Sequence, residues 1–434
     1  MKSSQFAAFP LVVSLLLAGA YTPAYAGDTP LTLYAAQKVA VDRSRLLASK
    51  DYAATAQREM AAAAGQLPDP VLRVGVENLP VEGPDRLSLN RDSMTMRRVG
   101  VMQELPRAEK RRLRSERFER EAERSLAEKS ALSATVERDT ALAWLNLYYT
   151  QRMASVLSEQ VVRTKLEIHA VEAQYRSGQA RQAEVLAAHA SLSRLHDRQS
   201  DIERRVRDAR IGLARWVGDA AQLPIAGEPS IDEVRLDLTN LERELNHHPE
   251  LAVATKQEQI AVTEASLARA DRKADWSVEV AYQQRGSSYS NMVSVGVSVP
   301  LQWNRKNRQD RELTARLAQV EEAKAIRDET LRRHVAELQG MVNEWTSNRE
   351  RYTRYTRELI PFAKSRVEAE MASYRGGKTT QTNVLMARRE ETEVRLQALE
   401  LEMETARLWA QINFLIPQSS QSPHPSAPNN QDYK

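Results

Sequence analysis

The sequence predicts a mainly α-helical fold with a small β part, in which long antiparallel coiled helical hairpins alternate with short strand hairpins. Three observations carry this reading. Very long stretches lack both proline and glycine, short runs alternate apolar and polar residues, and the same order of parts occurs twice along the chain. The 434 residues include only 15 glycines and 17 prolines, 28% are charged, and there is no cysteine. With a mean hydropathy of −0.55, this profile fits long solvated helices better than several compact globules.

The first residues carry Lys2, an apolar stretch from Phe6 to Ala20, and then Ala24-Tyr-Ala26. This is the pattern of a secretory signal peptide, residues 1–26, cleaved after Ala26. The apolar stretch is short of the about 20 residues that a membrane-spanning helix needs, and nothing later in the chain approaches that length. Any membrane crossing must then be made by strands.

The first structural repeat is expected over residues 27–217. It holds a helix, a strand hairpin at about 70–104, and a long helical hairpin. Leu67-Pro-Asp-Pro-Val-Leu-Arg-Val-Gly-Val-Glu-Asn78 leads to Arg98-Val-Gly-Val-Met-Gln-Glu-Leu-Pro106 and the basic run Arg107–Arg112. Leu72, Val74 and Val76 alternate as a strand does, and the turn-rich segment from Pro80 to Asp92 reads as the hairpin loop.

From Arg107 to Tyr175 no proline or glycine interrupts the chain. Apolar or small residues recur every seven positions there, with Val136, Ala143, Leu157 and Val171 in one column. Leu147, Ala154, Val161, Ile168 and Tyr175 form the other. At about 1.5 Å per residue such a helix runs on the order of 100 Å, and a strict seven-residue repeat implies supercoiled packing. Tyr175-Arg-Ser-Gly178 ends the rod, and a helix returns to about Trp216.

A linker is expected over 218–237, where Pro224, Gly227 and Pro229 fall. The second repeat, 238–416, then replays the first. Its strand hairpin spans about 276–300, with Val293, Val295, Val297 and Val299 alternating and Arg285–Asn291 as the loop. Arg305-Lys-Asn-Arg308 matches the earlier basic run. The second rod, Arg308 to Tyr374, has a weaker stripe (Val342, Ile360, Ala363, Val367) and contains Pro361, which should kink or break it. Tyr374-Arg-Gly-Gly377 repeats the glycine turn, and Val-Leu follows seven residues after the glycine in both copies. The 417–434 tail, rich in Ser, Pro, Asn and Gln, has the composition of a disordered segment.

Four strands cannot close a barrel, because outer-membrane barrels begin at about eight, and an open edge in lipid leaves backbone groups unpaired. Copies must combine. Two would supply eight strands and three would supply twelve, and a wider barrel leaves a water-filled lumen.

The plan of strand hairpin, long helix, glycine turn and returning helix, performed twice behind a signal peptide, resembles the TolC-like outer-membrane efflux family over essentially the whole mature chain. Leu67-Pro-Asp-Pro with Val76-Glu-Asn78, and Pro300-Leu301 followed by Asn304-Arg-Lys-Asn-Arg308, resemble its heavy-metal cation (CzcC- and CusC-like) branch. The resemblance implies a homotrimer whose twelve strands form a transmembrane barrel and whose helices form a periplasmic α-barrel. It implies an exit duct in the outer-membrane lipid, serving a periplasmic adaptor protein and an inner-membrane pump of the resistance-nodulation-division type. The cargo would be heavy-metal cations such as copper and silver, or cobalt, zinc and cadmium.

Adaptor docking at the periplasmic tip is carried over to Tyr175, Arg176, Gly178, Tyr374, Arg375 and Gly377. A gate or acidic ring is carried over to Glu184 and Asn383, of which only the first is acidic. Many relatives are anchored through a lipidated cysteine, and this chain departs from them.

Taken alone, these residues have plainer readings. The two tyrosines read as packing aromatics beside a helix cap, and Glu184 reads as one solvated charge among many. His189 and His196 lie two turns apart, about 10 Å, too far to share an ion at bonds of about 2 Å. They and the pair His247 and His248 are read as surface residues, with Pro249 after them marking a helix start. Met94 and Met96 are read as alternating on one strand face, as apolar filler on a barrel surface. No metal site and no cofactor are therefore placed, and none of the phosphate-loop, nucleophile-elbow or His-Glu-x-x-His patterns of an enzyme occurs. Acidic residues interleave with the basic ones that give a net charge of +4, so no nucleic-acid partner is expected. Two rivals are a coiled-coil tether or stalk of the envelope, which leaves the strand hairpins unexplained, and export of drugs or other small molecules through the same architecture.

Overall fold

The structure, a computed structural model, describes residues 29–236, 240–246 and 248–415. The signal peptide, His247 and the 417–434 tail lie outside the described residues. Two helices open the fold, α1 (Leu33–Arg43) and α2 (Arg45–Ala64). Thr32 caps the first, its hydroxyl accepting from the Ala35 N–H at 3.2 Å, and Ser44 ends the first and caps the second. Strands β1 (Val71–Glu77) and β2 (Met96–Leu105) follow.

Pro106 stops β2, and α3 then runs unbroken for 69 residues, Ala108–Arg176. Its return helix α4 covers Gln182–Val217. The second half has α5 (Leu241–Leu245), α6 (Pro249–Asp271), β3 (Trp276–Gln284) and β4 (Met292–Ser298). Helices α7 (Gln309–Arg354), α8 (Ile360–Arg375) and α9 (Gln381–Asn413) complete it. No helix among the described residues is long and apolar enough to cross a membrane.

Helix α3 is the spine, with α2, α4, α6 and α9 all packed along it. Its seven-residue columns are what they pack on. Val136, Leu157 and Val171 of one column are buried, as are Leu147, Val161 and Ile168 of the other. Thr150 and Thr164 fill intervening sites of the first column and are buried too. The largest apolar cluster gathers around Trp144, Leu145, Leu147 and Tyr149 of α3, with Leu213 from α4, Leu338 from α7 and Ile412 from α9.

The chain that joins the halves packs into this cluster. Leu31 pairs in parallel with Ile225, and Ile231 and Leu236 are buried. Three indole N–H groups hold the backbone here: Trp144 donates to Leu31 O at 2.9 Å, Trp345 to Ile231 O at 3.2 Å and Trp409 to Glu233 O at 2.8 Å. Leu31 with Trp144 and Ile231 with Trp345 are the same contact one repeat apart. Each satisfies a backbone carbonyl that burial would otherwise leave costly.

The two rods differ. Residues Tyr355–Leu359 of the second form a π-helical turn directly ahead of Pro361. Proline has no N–H to donate and its ring crowds the carbonyl four residues back, that of Arg357, so the helix opens by one wide turn. Next to this turn the buried Glu402 of α9 accepts from the Tyr149 hydroxyl at 3.2 Å, the Tyr352 hydroxyl at 2.8 Å and the Arg152 guanidinium at 2.9 Å. One carboxylate thus ties α3, α7 and α9 together. Burial first, and then the Glu402 charge, push both tyrosine hydroxyls well above their ordinary range.

One of the histidines expected on the surface is in the core. His248 is 5% exposed and stands at the N-cap of α6, its Nδ1 accepting from the Glu250 N–H at 3.2 Å. Pro249 signals the helix start, and the residue before it caps the new helix and is covered by α7, where His334 lies 4.3 Å away between ring centres.

Candidate functional site

The four strands form one antiparallel sheet in the order β1-β2-β3-β4. Residues paired across an antiparallel ladder point to the same face, so the register sorts the side chains. One face carries the rows Leu72/Val101/Val280/Val295 and Val74/Val99/Tyr282/Val293. These side chains are exposed, Val74 to 72%. The row Arg97/Gln284 bounds this band at the loop end, and Gln103 interrupts it toward the helices.

The opposite face is small and polar. It carries Arg73, Gly75 and Glu77 from β1, Arg98, Gly100 and Glu104 from β2, Glu279 and Ala281 from β3, and Ser294 and Gly296 from β4, with Val71, Met102 and Met292 as apolar residues among them. Arg98 donates to Glu77 at 2.5 Å and to Glu279 at 2.7 Å, and Arg73 lies 3.5 Å from Glu279. Within this cluster two cations meet two anions, and Glu104 adds a further anion at the helix end of the same face. A Cβ on Gly100 would stand 2.7 Å from that of Ala281, so glycine is what lets these strands pair closely.

Met96 shares the Glu77 row and so belongs to the polar face, while Met94 lies before the strand begins, its N–H held by Asp92 Oδ1 at 2.7 Å. The expectation of two methionines alternating on an apolar strand face is corrected. The strand starts two residues later than the periodicity suggested, because the Asp92 turn claims Met94 and Thr95.

Where α2 and α6 end, the sheet is clamped to the helices. Lys110 is buried and reaches Asp275 at 2.9 Å and Asp271 at 3.2 Å. The Arg107 N–H also donates to Asp275 at 3.1 Å.

At the far end of the rods the two Tyr-Arg-x-Gly sequences make the same turn. Gly178 donates to Tyr175 O at 3.0 Å and Gln179 to Gln174 O at 2.8 Å; Gly377 donates to Tyr374 O at 3.0 Å and Lys378 to Ser373 O at 2.9 Å. This is the Schellman helix ending, with glycine in the left-handed region at φ 77° and 71°. Tyr175, Arg176 and Arg375 are exposed, and the two arginines form no ion pair among the described residues. The structure brings the two tips together through Tyr374, whose hydroxyl donates to Gln174 Oε1.

Glu184 and Asn383 occupy equivalent places, the third residue of each return helix. They make no hydrogen bond to each other among the described residues. Asn383 donates to Thr379 Oγ1 at 2.9 Å, and the Glu184 carboxylate sits at a helix N-terminus, where a negative charge is favoured. Further back, Glu167 of α3 and Arg388 of α9 form a nearly buried ion pair. Burial pushes the Glu167 carboxyl up, against the pull of Arg388 and Arg163.

No family model and no curated protein matches the sequence. Solved structures do match. VceC, an outer membrane protein of Vibrio cholerae, superposes with a TM-score of 0.72 at 18% identity over 88% of this chain and 95% of that one. The Campylobacter jejuni CmeC outer membrane channel gives 0.73 at 13% identity over 90% and 87%. CusC, whose structures describe transmembrane channel formation, gives 0.74 at 14% identity over 88% and 91%.

The chain has the outer-membrane channel fold. Within that channel fold, a single protomer presents an apolar sheet face to solvent and leaves β1 and β4 with open edges. Sequence reasoning found the tip turns but missed Gln174, which meets Tyr374 of α8, and the pair Glu167 and Arg388, which meet because α9 packs along α3. The Arg73, Glu77, Arg98 and Glu279 group was legible in principle, as charges at every second position between valines.

The tip of the channel fold yields one expected result. Gly178→Ala or Gly377→Ala should lower stability by about 1–2 kcal/mol each, because an L side chain is strained in the left-handed region. Gly376→Ala should change it little, since φ is not positive there and a Cβ meets only ordinary contacts at 3.6 Å. Thermal unfolding of the three variants makes the comparison, and equal effects at 376 and 377 would refute the assigned turn.

Proposed function

We propose that this protein is the exit-duct subunit of a tripartite efflux system, resident in the bacterial outer membrane behind a signal peptide cleaved after Ala26. The sheet carries this reading. One face is apolar and exposed, the other is largely polar with charges of both signs, and both edges are open. Lipid against the first face, water against the second and neighbouring copies at the edges satisfy all three conditions at once. Three copies supply twelve strands, and the helical rods extend the duct into the periplasm. A periplasmic adaptor meets the tips at Tyr175–Gly178 and Tyr374–Gly377, and an inner-membrane pump of the resistance-nodulation-division type supplies the energy. The chain performs no chemistry of its own in this reading.

The cargo reading is heavy-metal cations, and it rests on Leu67-Pro-Asp-Pro and Asn304-Arg-Lys-Asn-Arg308. Among the described residues no group of three or more His, Asp or Glu side chains is placed to hold a metal ion, and a duct has no need to bind its cargo tightly. Export of small organic molecules is a second reading, favoured by the guanidiniums of Arg73 and Arg98 on the polar face, which repel free cations.

Purified protein in planar bilayers should conduct ions, and a deletion strain should become sensitive to a metal panel more than to a drug panel. Absence of conductance sinks the duct; sensitivity to drugs alone sinks the metal cargo. Three Glu184 carboxylates around an axis would form a cation-attracting constriction, and unchanged selectivity in Glu184→Gln removes it. Arg98→Gln should raise cation over anion permeability, because Glu77 and Glu279 lose the cation they share. A reversal potential in a salt gradient at low ionic strength reads the effect, and no shift would mean the barrel wall does not bear on ion choice.

A further inference from the structure

The apolar stripe of β4 does not stop where the strand stops. Val293, Val295, Val297, Val299, Leu301 and Trp303 keep a period of two, all of them exposed, and Trp303 is 86% exposed, the most of any large apolar side chain among the described residues. A tight turn follows at once, Arg305–Asn307, built by the Asn307 and Arg308 N–H groups donating to Asn304 O at 3.1 and 3.2 Å. Arg305, Lys306 and Arg308 are all exposed. Arg305 lies 3.5 Å from Asp310, but that carboxylate is held more closely by Arg272 at 2.8 Å. Lys306 and Arg308 have no ion pair among the described residues.

An indole at the end of an apolar stripe suits the boundary between acyl chains and headgroups, since one part of it is apolar and its N–H is polar. Cations just beyond that boundary stand at headgroup depth, where anionic lipid attracts them. We propose that Trp303 with Lys306 and Arg308 forms a headgroup site that selects anionic phospholipid, at the helix-side edge of the sheet. The site rests on the reading of the apolar sheet face as lipid-facing. It adds to that reading a headgroup class and the residues that choose it.

The full chain, reconstituted into vesicles of phosphatidylcholine containing a minor share of phosphatidylglycerol with the same acyl chains, is re-extracted, and the lipid retained on the protein is measured. Wild type should retain phosphatidylglycerol well above its bulk share. The combined variant Lys306→Gln, Arg308→Gln should lose that enrichment by about tenfold or more, each cation near an anionic surface accounting for about fivefold. Trp303→Ala should weaken retention of both lipids. Circular dichroism confirms that the variants keep their helices, and none of the three residues is buried. Enrichment in the variant equal to wild type, or none in wild type that has inserted, overturns the headgroup site and leaves the duct standing. Failure of wild type to insert in any vesicle overturns the lipid-facing sheet, and the headgroup site with it.

Discussion

Val280→Arg should all but abolish assembly in the membrane while leaving the helical rods folded. Val280 is the midpoint of β3 and stands in the row Leu72/Val101/Val280/Val295, with neighbours on both sides. It is 49% exposed in the single protomer, so an arginine there displaces no packed core. In a lipid-facing band the same arginine costs about 2–4 kcal/mol near the bilayer midplane, and that cost recurs in every copy of a closed barrel. Ser294→Arg, one residue from Val295 and on the polar face, supplies the control and should assemble. The amount of protein in membrane fractions that resists urea extraction separates the outcomes. Equal loss for the two arginines would mean the faces are not divided between lipid and water.

Acid should weaken the fold through His248. Burial first, and then the charge on His334, lower its pKa from 6.5 to about 4; Glu250 works the other way, and Arg138 and Arg333 add to the lowering. Above about pH 6.5 the ring is neutral whether the chain is folded or not, and its neutral Nδ1 caps α6. As pH falls from 6.5 toward 4, the unfolded chain takes up a proton that the folded chain refuses. Stability is lost across that window, on the order of 3 kcal/mol in total. His248→Asn keeps a side-chain oxygen at the cap and should flatten this part of the profile. Urea midpoints at pH 7.5, 5.5 and 4.5 test it, and parallel profiles for the two proteins would remove His248 as the cause.

Much of this architecture is written locally in the chain. Rod lengths follow from where proline and glycine are missing, since a helix continues until something ends it, and α3 begins and ends within two residues of Pro106 and Gly178. The strands show because one face must be apolar throughout, which fixes a period of two. The tip turns show because a left-handed residue needs glycine, and the need recurs in both halves.

What did not show depends on residues far apart in sequence. Nothing near Glu402 marks it as the acceptor for Tyr149, Arg152 and Tyr352, and nothing near Gln174 marks it as the partner of Tyr374. The buried strap between the halves looked like an ordinary Pro-Gly linker, because its anchors are the indoles of Trp345 and Trp409 on distant helices, with Trp144 holding Leu31 beside it. Composition described the strap, while the tryptophans decided its place.

The broken rod makes the two halves mechanically unlike. A 69-residue helix with every backbone bond in register resists bending along its whole length, whereas the wide turn at Tyr355–Leu359 concentrates compliance at one level of the other. The Glu402 junction pins the second rod just above that level, and below it Arg395 with Glu159, Arg388 with Glu167 and Tyr374 with Gln174 still hold α8 and α9 against α3. In any closed ring of copies, rigid and jointed staves then alternate around the wall. A load on such a tube would be taken up first at that one level of the jointed staves, while the unbroken ones kept their line.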